Sequence, residues 1–151
     1  MNRAKTISNP QVISNSTRKS AQPAHIVVVD DDRPVLYTFR AILEHFGYRT
    51  TEAVTPEEAL SVIRSERVDV LIADLNLHSA MSGEQLLQEA VRLQPRIGCI
   101  LLTGFAEPET LDELEKRGVP VLFKPLEPTK LLSYIEHLLE EKAAKHSNHQ
   151  H

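Results

Sequence analysis

Residues 25–32, which read HIVVVDDD, run from an apolar segment directly into three neighbouring carboxylates. The β-branched side chains of this segment favour a buried strand. Adjacent carboxylates repel one another, and burying them costs free energy unless a cation or hydrogen-bond donors compensate the charge. The acids that end this strand therefore lie either in open solvent or beside a positively charged partner.

Beyond this strand, apolar strand-like runs alternate with segments of helical periodicity. Residues 34–47 place their apolar side chains on one helical stripe, begin with a proline and end with a glycine. The other predicted strands cover residues 48–53, 68–74, 97–103 and 119–124, and the other predicted helices cover residues 55–64, 83–93, 107–117 and 128–142. This alternation predicts an α/β fold with a parallel sheet covered by helices on both faces, and the partly polar strand 48–53 is expected at an edge.

The composition limits the class of protein. The 151 residues fit one domain, and a net charge of −4 gives no electrostatic reason to expect binding to nucleic acid or to an anionic membrane. Because no apolar run approaches the ~18 residues of a membrane span and the single cysteine suits a reducing compartment, we expect a cytoplasmic protein. Residues 1–24 are predicted to be a disordered extension or linker, residues 25–142 the folded domain, and residues 143–151 a disordered tail.

Polar side chains stand at the ends of four of the predicted strands. Asp30 and Asp31 follow the first strand, Asp74 closes the third, Thr103 the fourth and Lys124 the fifth. Parallel α/β sheets bind their ligands at this rim, close to the point where the strand order reverses. A single polar residue at a strand end is expected by chance, but a set from four strands indicates a functional site.

Four short motifs carry a resemblance to a known family. They are VVDD at residues 28–31, ADL at 73–75, LTG at 102–104 and FKP at 123–125. In this order they resemble the signatures of the receiver domain of response regulators in two-component signalling, over residues 25–142. The resemblance implies a flavodoxin-like, three-layer fold, in which a five-stranded parallel sheet of order 2-1-3-4-5 is flanked by five helices.

The resemblance also implies a metal site at the rim. Asp31, Asp74 and the backbone carbonyl of Asn76 would bind Mg²⁺ directly, and Asp30 would act through a water molecule. Carboxylate and carbonyl oxygens suit Mg²⁺, and Mn²⁺ could replace it.

Asp74 is implied to be the phosphoacceptor of the domain. Its carboxylate would take a phosphoryl group from the phosphohistidine of a histidine kinase or a histidine phosphotransfer domain. Lys124 would bring positive charge to the phosphoryl oxygens, and Thr103 would donate a hydrogen bond that exists only in the phosphorylated state.

The chain departs from the family pattern in three places, one of which is Phe105, at a position where polar residues are frequent. Val121 stands where many members have an aromatic residue that turns inward on activation, so a switch would have to use the backbone or the fourth helix. The loop after Asp74 reaches Gly83 after nine positions instead of eight, and His78 stands where a proline is common. His78 could be a second phosphoryl acceptor, a metal ligand or an exposed loop residue.

Residues beside these motifs are expected to modulate the chemistry. Gly104 would leave the pocket open to a donor, and the resemblance implies a cis peptide before Pro125. Phe105 and Asn76 would lie where water approaches the phosphoryl group. Because Phe105 cannot hydrogen-bond a water molecule, we expect slow self-dephosphorylation.

Two other functions remain open from the sequence. A pseudo-receiver would bind partners without phosphorylation, although the intact set of acids argues against it. A phosphatase of haloacid-dehalogenase type also uses an aspartate nucleophile and Mg²⁺, and the spacing of Asp30 and Asp32 fits it, but it leaves Asp74 unexplained.

The expected output is protein contact. We expect no DNA-binding or enzymatic domain in these 151 residues, and no catalysis beyond self-phosphotransfer and self-dephosphorylation. The domain would be a single-domain regulator or the receiver of a hybrid kinase. It would act on a downstream protein that the sequence does not identify, or form a phosphorylation-dependent dimer.

Overall fold

The structure is a computed structural model that describes the chain over residues 22–149, with side chains described to residue 144. The predicted N-terminal extension lies outside the described residues, apart from residues 22–24. The strands are β1 (His25–Val29), β2 (Arg49–Ala53), β3 (Val70–Asp74), β4 (Gly98–Thr103) and β5 (Val121–Phe123). The helices are α1 (Arg33–His45), α2 (Pro56–Ser65), α3 (Gly83–Leu93), α4 (Pro108–Lys116) and α5 (Pro128–His149).

All five strands pair in parallel, in the order β2-β1-β3-β4-β5, which confirms the predicted topology. The partly polar strand β2 is at an edge, as expected. The chain leaves β1 toward one neighbour, β2, and then returns to the other side of β1 as β3. The strand order therefore reverses between β1 and β3, where Asp30 directly follows β1 and Asp74 is the last residue of β3.

Two apolar layers cover the sheet, because successive strand residues point to opposite faces. In β1, Val27 and Val29 face one layer and Ile26 and Val28 face the other. The first layer is completed by α2, α3 and α4, which contribute Ala59, Leu60, Ile63, Leu86, Leu87, Ala90 and Leu114. The second layer is completed by α1 and α5, which contribute Leu36, Phe39, Leu43, Leu131 and Ile135.

Several element boundaries differ from those predicted, and the differences at β5 and α5 have a local physical reason. Strand β5 begins at Val121 instead of residue 119, because the backbone N–H of Val119 donates to the carbonyl of Leu114 and closes the end of α4. Helix α5 continues to His149, beyond the predicted end at residue 142. Alanine and lysine follow Lys142 and neither glycine nor proline interrupts them, so the boundary predicted for the C-terminal tail lies too early.

No helix within residues 22–149 has the length and the apolar character that crossing a membrane would require.

Helix α3 begins in direct contact with the chain that leaves the rim. The side chain of its N-cap residue Ser82 accepts from the backbone N–H of Gln85 at 3.1 Å, and the backbone N–H of Ser82 donates to Gln85 Oε1 at 2.9 Å. At Gly83, an added Cβ would overlap the backbone oxygen of Asp74 and would lie 2.9 Å from the Cα of Leu75. The glycine thus allows the start of α3 to pack against the backbone just after β3.

Replacing Gly83 by alanine should destabilise the fold. The methyl group meets backbone atoms that cannot rotate away, so we expect a loss of ~1–3 kcal/mol in the free energy of unfolding, measured by urea denaturation. Gly104→Ala is the matched control, because no described atom lies within 4 Å of a Cβ at that position. Equal stability of the two variants would show that the contact at Gly83 does not constrain the helix.

Candidate functional site

The ends of β1, β3 and β5 bring a lysine between two carboxylates. The ammonium Nζ of Lys124 lies 3.0 Å from Asp74 Oδ2 and 3.2 Å from Asp30 Oδ2. The backbone N–H of Lys124 donates to the carbonyl of Thr103 at 2.8 Å. This bond holds Lys124 beside the end of β4, although β5 itself ends at Phe123. The structure therefore brings together the predicted Asp30, Asp74 and Lys124.

The three carboxylates of the rim differ in burial. Asp30 is 1% exposed and Asp74 is 6% exposed, whereas Asp31 is exposed. Burial raises the pKa of Asp30, and the opposing contributions come from the backbone N–H of Asp32, which donates to Asp30 Oδ1 at 2.9 Å, and from the charge of Lys124. Asp32 itself is the N-cap residue of α1, and its side chain makes no capping hydrogen bond to the first turn of that described helix. The hydrogen bond from the Asp32 backbone to Asp30 therefore holds the turn that leads from β1 into α1.

The ammonium of Lys124 is held in its charged form. Burial by itself would lower the pKa of this group, but the hydrogen bond to Asp74 and the charges of Asp30 and Asp74 outweigh burial and raise the pKa. Lys124 therefore remains a cation wherever the two carboxylates are ionised.

Asp31 has a partner in the loop between β3 and α3. Its Oδ2 accepts from His78 Nδ1 at 2.8 Å and from the His78 backbone N–H at 3.3 Å. The side-chain hydrogen bond lowers the pKa of Asp31. The imidazole is otherwise 89% exposed, as one of the sequence alternatives predicted. Its contact with Asp31 is one that sequence reasoning did not find, because this loop has no periodicity from which a side chain can be placed.

The carboxylates of Asp30, Asp31 and Asp74 each offer an oxygen, and these oxygens all lie within 4.8 Å of one another. Three carboxylates and the ammonium of Lys124 sum to −2, which is the charge that one divalent cation would balance. The donors are all hard oxygens, which Mg²⁺ and Mn²⁺ prefer. The chemistry of the donor set thus fits a divalent metal ion.

A buried hydroxyl links the rim to two loops. Thr103 is 0% exposed, and its Oγ1 lies 2.8 Å from Asn76 Oδ1 and 2.6 Å from the carbonyl of Phe105. The same oxygen accepts from the backbone N–H of Phe105 at 3.0 Å. The backbone N–H of Asn76 in turn donates to Asp74 Oδ1 at 2.8 Å. A continuous chain of hydrogen bonds therefore runs from the carboxylate of Asp74 to the loop after β4.

The predicted modulating residues lie in different surroundings. Gly104 and Phe105 follow Thr103 at the rim, and the ring of Phe105 is 66% exposed. The peptide between Lys124 and Pro125 is cis, as the resemblance implied. Val121 is not at the rim, since it pairs with Leu101 and packs into the layer formed with α2, α3 and α4.

Comparison with known proteins identifies the fold and its relatives. The family model of the response regulator receiver domain matches residues 26–136. The transcriptional regulatory protein GlrR of Escherichia coli K12 is 33% identical over 125 residues, which are 82% of this chain and 28% of that relative. The transcriptional regulatory protein ZraR of Salmonella typhimurium is 32% identical over 115 residues, which are 76% of this chain and 26% of that relative. The chain thus spans about a quarter of the length of these curated relatives.

Solved structures agree with this match. A CheY-like response regulator receiver domain protein from Methanospirillum hungatei has a TM-score of 0.75 and 32% identity, and the alignment covers 82% of this chain and 99% of that chain. The beryllofluoride-activated NtrC4 receiver domain dimer has a TM-score of 0.72 and 28% identity, over 78% of this chain and 98% of that chain. Because the family model matches most of the chain and the strand order is the same, this protein belongs to the response regulator receiver domain family of two-component signalling.

Proposed function

We propose that this receiver domain takes up a phosphoryl group on Asp74 in a reaction that requires a divalent metal ion. The observation that carries the proposal is the position of Asp74 at the centre of the rim. Its Oδ2 contacts Lys124, its Oδ1 accepts from the Asn76 backbone, and its oxygens lie within 4.8 Å of those of Asp30 and Asp31. A carboxylate in this position is oriented for attack and has positive charge beside it for the incoming group.

The reaction we propose is transfer from a phosphohistidine. Receiver domains interact with histidine kinases in two-component systems, and a histidine phosphotransfer domain presents the same donor group. An oxygen of Asp74 forms the new bond to phosphorus while the bond between phosphorus and the donor imidazole breaks, and the bonding electron pair stays on the imidazole nitrogen. The ammonium of Lys124 is positioned to contact the oxygens of the transferred group.

The residues proposed to hold the metal ion are those of the acidic cluster. Asp31, Asp74 and the Asn76 carbonyl would bind directly, and Asp30 would bind through water. An indirect role suits Asp30, because it is the most deeply buried of the three acids, at 1% exposed. The bound ion, Mg²⁺ or Mn²⁺, would neutralise charge on the phosphoryl oxygens.

The output we propose is a change in protein contacts. A phosphoryl oxygen on Asp74 would compete with Asn76 Oδ1 and the Phe105 carbonyl for the single hydroxyl hydrogen of Thr103, so the loop that accepts this hydrogen would lose its bond. Since Val121 has no ring to reorient, the response would travel through the backbone after Thr103 and through α4. The recipient would be a downstream protein or a second copy of the domain, and the dimer named for the NtrC4 receiver gives this second form a parallel.

The structure gives no support to the phosphatase alternative. Asp32, which that alternative requires as a general acid, is an exposed residue at the start of α1. The alternative also gives no function to the buried Asp74, which contacts Lys124 as Asp30 does. We propose no nucleic-acid contact for this domain of net charge −4, and the transcriptional function named for the longer relatives is a property of those proteins.

Asp74 should be the sole acceptor of the phosphoryl group. With Mg²⁺ and a small acyl phosphate donor, the wild-type protein should gain one phosphoryl group by intact-mass measurement, and Asp74→Asn should gain none. Asp32→Asn is the matched control and should label like the wild type. Labelling of the Asp74 variant would refute the assignment, and an unlabelled wild type would favour a pseudo-receiver.

Loss of the Thr103 hydroxyl should separate phosphorylation from its structural effect. Thr103→Ala should accept phosphate but lose most of the phosphorylation-induced amide shifts in residues 104–117, since couplings of this kind typically amount to ~1–3 kcal/mol. Thr103→Ser keeps the hydroxyl and should keep the response. An alanine variant with the wild-type shift pattern would contradict the role given to Thr103.

Phe105 should set the lifetime of the phosphoryl group. Phe105→Gln supplies a side chain that can orient a water molecule, so phosphate release from the purified phosphoprotein should become ~10-fold faster, equivalent to about 1.4 kcal/mol of barrier. Phe46→Gln, which changes another exposed phenylalanine at the C-cap of α1, is the control. Equal decay rates for Phe105→Gln and the wild type would show that another feature sets the lifetime.

A further inference from the structure

The hydrogen bond between His78 and Asp31 joins an imidazole nitrogen and a carboxylate oxygen, and atoms of both kinds are common metal ligands in proteins. Nδ1 of the imidazole lies 2.8 Å from Oδ2 of Asp31, which is an exposed member of the acidic cluster. The backbone N–H of His78 donates to the same oxygen, so the backbone of the loop is held beside Asp31 as well as the ring. His78 therefore sits beside the proposed metal site without being one of the oxygen ligands assigned to it.

The separation of these two atoms suits a shared ion. Zn²⁺ binds imidazole nitrogen at about 2.0–2.1 Å and carboxylate oxygen at about 2.0–2.2 Å, which places two neighbouring ligands about 2.9 to 3.4 Å apart. The observed 2.8 Å is just below this range, so an ion could take the place of the shared hydrogen between these two atoms. The imidazole is not a member of the set of oxygens that lie within 4.8 Å of one another, so the ring has to turn toward that set to share an ion with all of it. The ring is 89% exposed, so little packing resists that movement.

We propose that His78 determines the metal preference of this site, by acting as a nitrogen ligand for ions that bind imidazole. This inference rests on the proposed function, because it assumes that the cluster of Asp30, Asp31 and Asp74 holds a divalent ion. Mg²⁺ takes oxygen ligands and gains nothing from the ring, whereas Zn²⁺ and similar ions bind imidazole readily. A receiver with an apolar residue at this position would offer oxygen only.

The hydrogen bond between His78 and Asp31 should weaken the binding of Mg²⁺. His78 donates to an oxygen that Mg²⁺ would need, so the ion would have to displace the donor to bind Asp31 through that oxygen. Coordination through Nδ1, in contrast, uses the nitrogen that already faces Asp31 and needs only the tautomer with its hydrogen on Nε2. The histidine should thus favour zinc-like ions over magnesium.

Two substitutions separate these effects. His78→Ala removes both the donor and the ligand. His78→Asn keeps an N–H donor close to the position of Nδ1, but the amide is a poor ligand for Zn²⁺. Binding is measured on the full chain at one pH by following the amide signals of Asp31 and Asn76 during separate titrations with Mg²⁺ and Zn²⁺, so the readout is local to the site and independent of phosphorylation.

In both variants the ratio of Zn²⁺ to Mg²⁺ affinity at these amides should fall at least ~10-fold. Mg²⁺ affinity should match the wild type in His78→Asn and should be equal or a few-fold higher in His78→Ala. His137→Ala, a histidine on α5 that contacts Glu141, is the control and should leave both affinities unchanged. Binding of Zn²⁺ by the tail histidines is common to all variants and does not enter the readout.

An unchanged ratio in the variants would overturn the inference while leaving the proposed function intact, provided that the wild type binds Mg²⁺ at these amides. An equal loss for both ions would also overturn it, because that result would mean that His78 only supports the loop. If neither ion shifts the wild-type signals, the metal-dependent function itself fails, and the inference fails with it.

Discussion

The contact of Lys124 with Asp30 and Asp74 is the interaction on which the rim depends. Two carboxylates that are almost fully buried lie at the ends of neighbouring strands, and like charges so placed repel one another strongly. The ammonium of Lys124 forms an ion pair with both, whereas the third acid, Asp31, is hydrogen-bonded to His78 in the loop after β3. The native structure thus holds a site with less positive charge than its acids require. A divalent cation would remove that deficit, which gives the domain a physical reason to bind one.

The sheet supplies the rigidity that such an arrangement needs. Both faces of the central strands are covered by apolar side chains, so the strand ends cannot move apart to relieve the repulsion. Gly83 lets α3 begin directly against the backbone of Asp74, which holds the proposed acceptor in place. The loops beyond the strand ends are tied to the rim by the hydrogen bonds of Asn76, His78 and Phe105. A change at the rim would therefore reach both loops through these bonds.

The sequence was sufficient for most of the fold, and the reasons are local. Alternation of apolar runs with helical stripes predicted the five strands and the parallel sheet, and the polar composition of β2 predicted its place at the edge. The site could be predicted because residues at the ends of parallel strands meet at one rim, so Asp30, Asp74 and Lys124 needed only the topology. Three-dimensional contacts between loops could not be predicted. The bond from His78 to Asp31 depends on the path of the eight-residue connection between β3 and α3, and the end of α5 depends on helix propensity without any stop signal.

The contacts at the rim join parts of the chain that are distant in sequence. Lys124 is 94 residues from Asp30 and 50 from Asp74, so these pairs can form only after the central strands have assembled. An unfolded or half-folded chain has no cluster to offer, and an ion that binds the native rim would bind the folded state alone. Such binding would raise the apparent stability by RT ln(1 + [ion]/Kd). The supply of metal ions in the cell would then act on the folding equilibrium of the domain as well as on its chemistry.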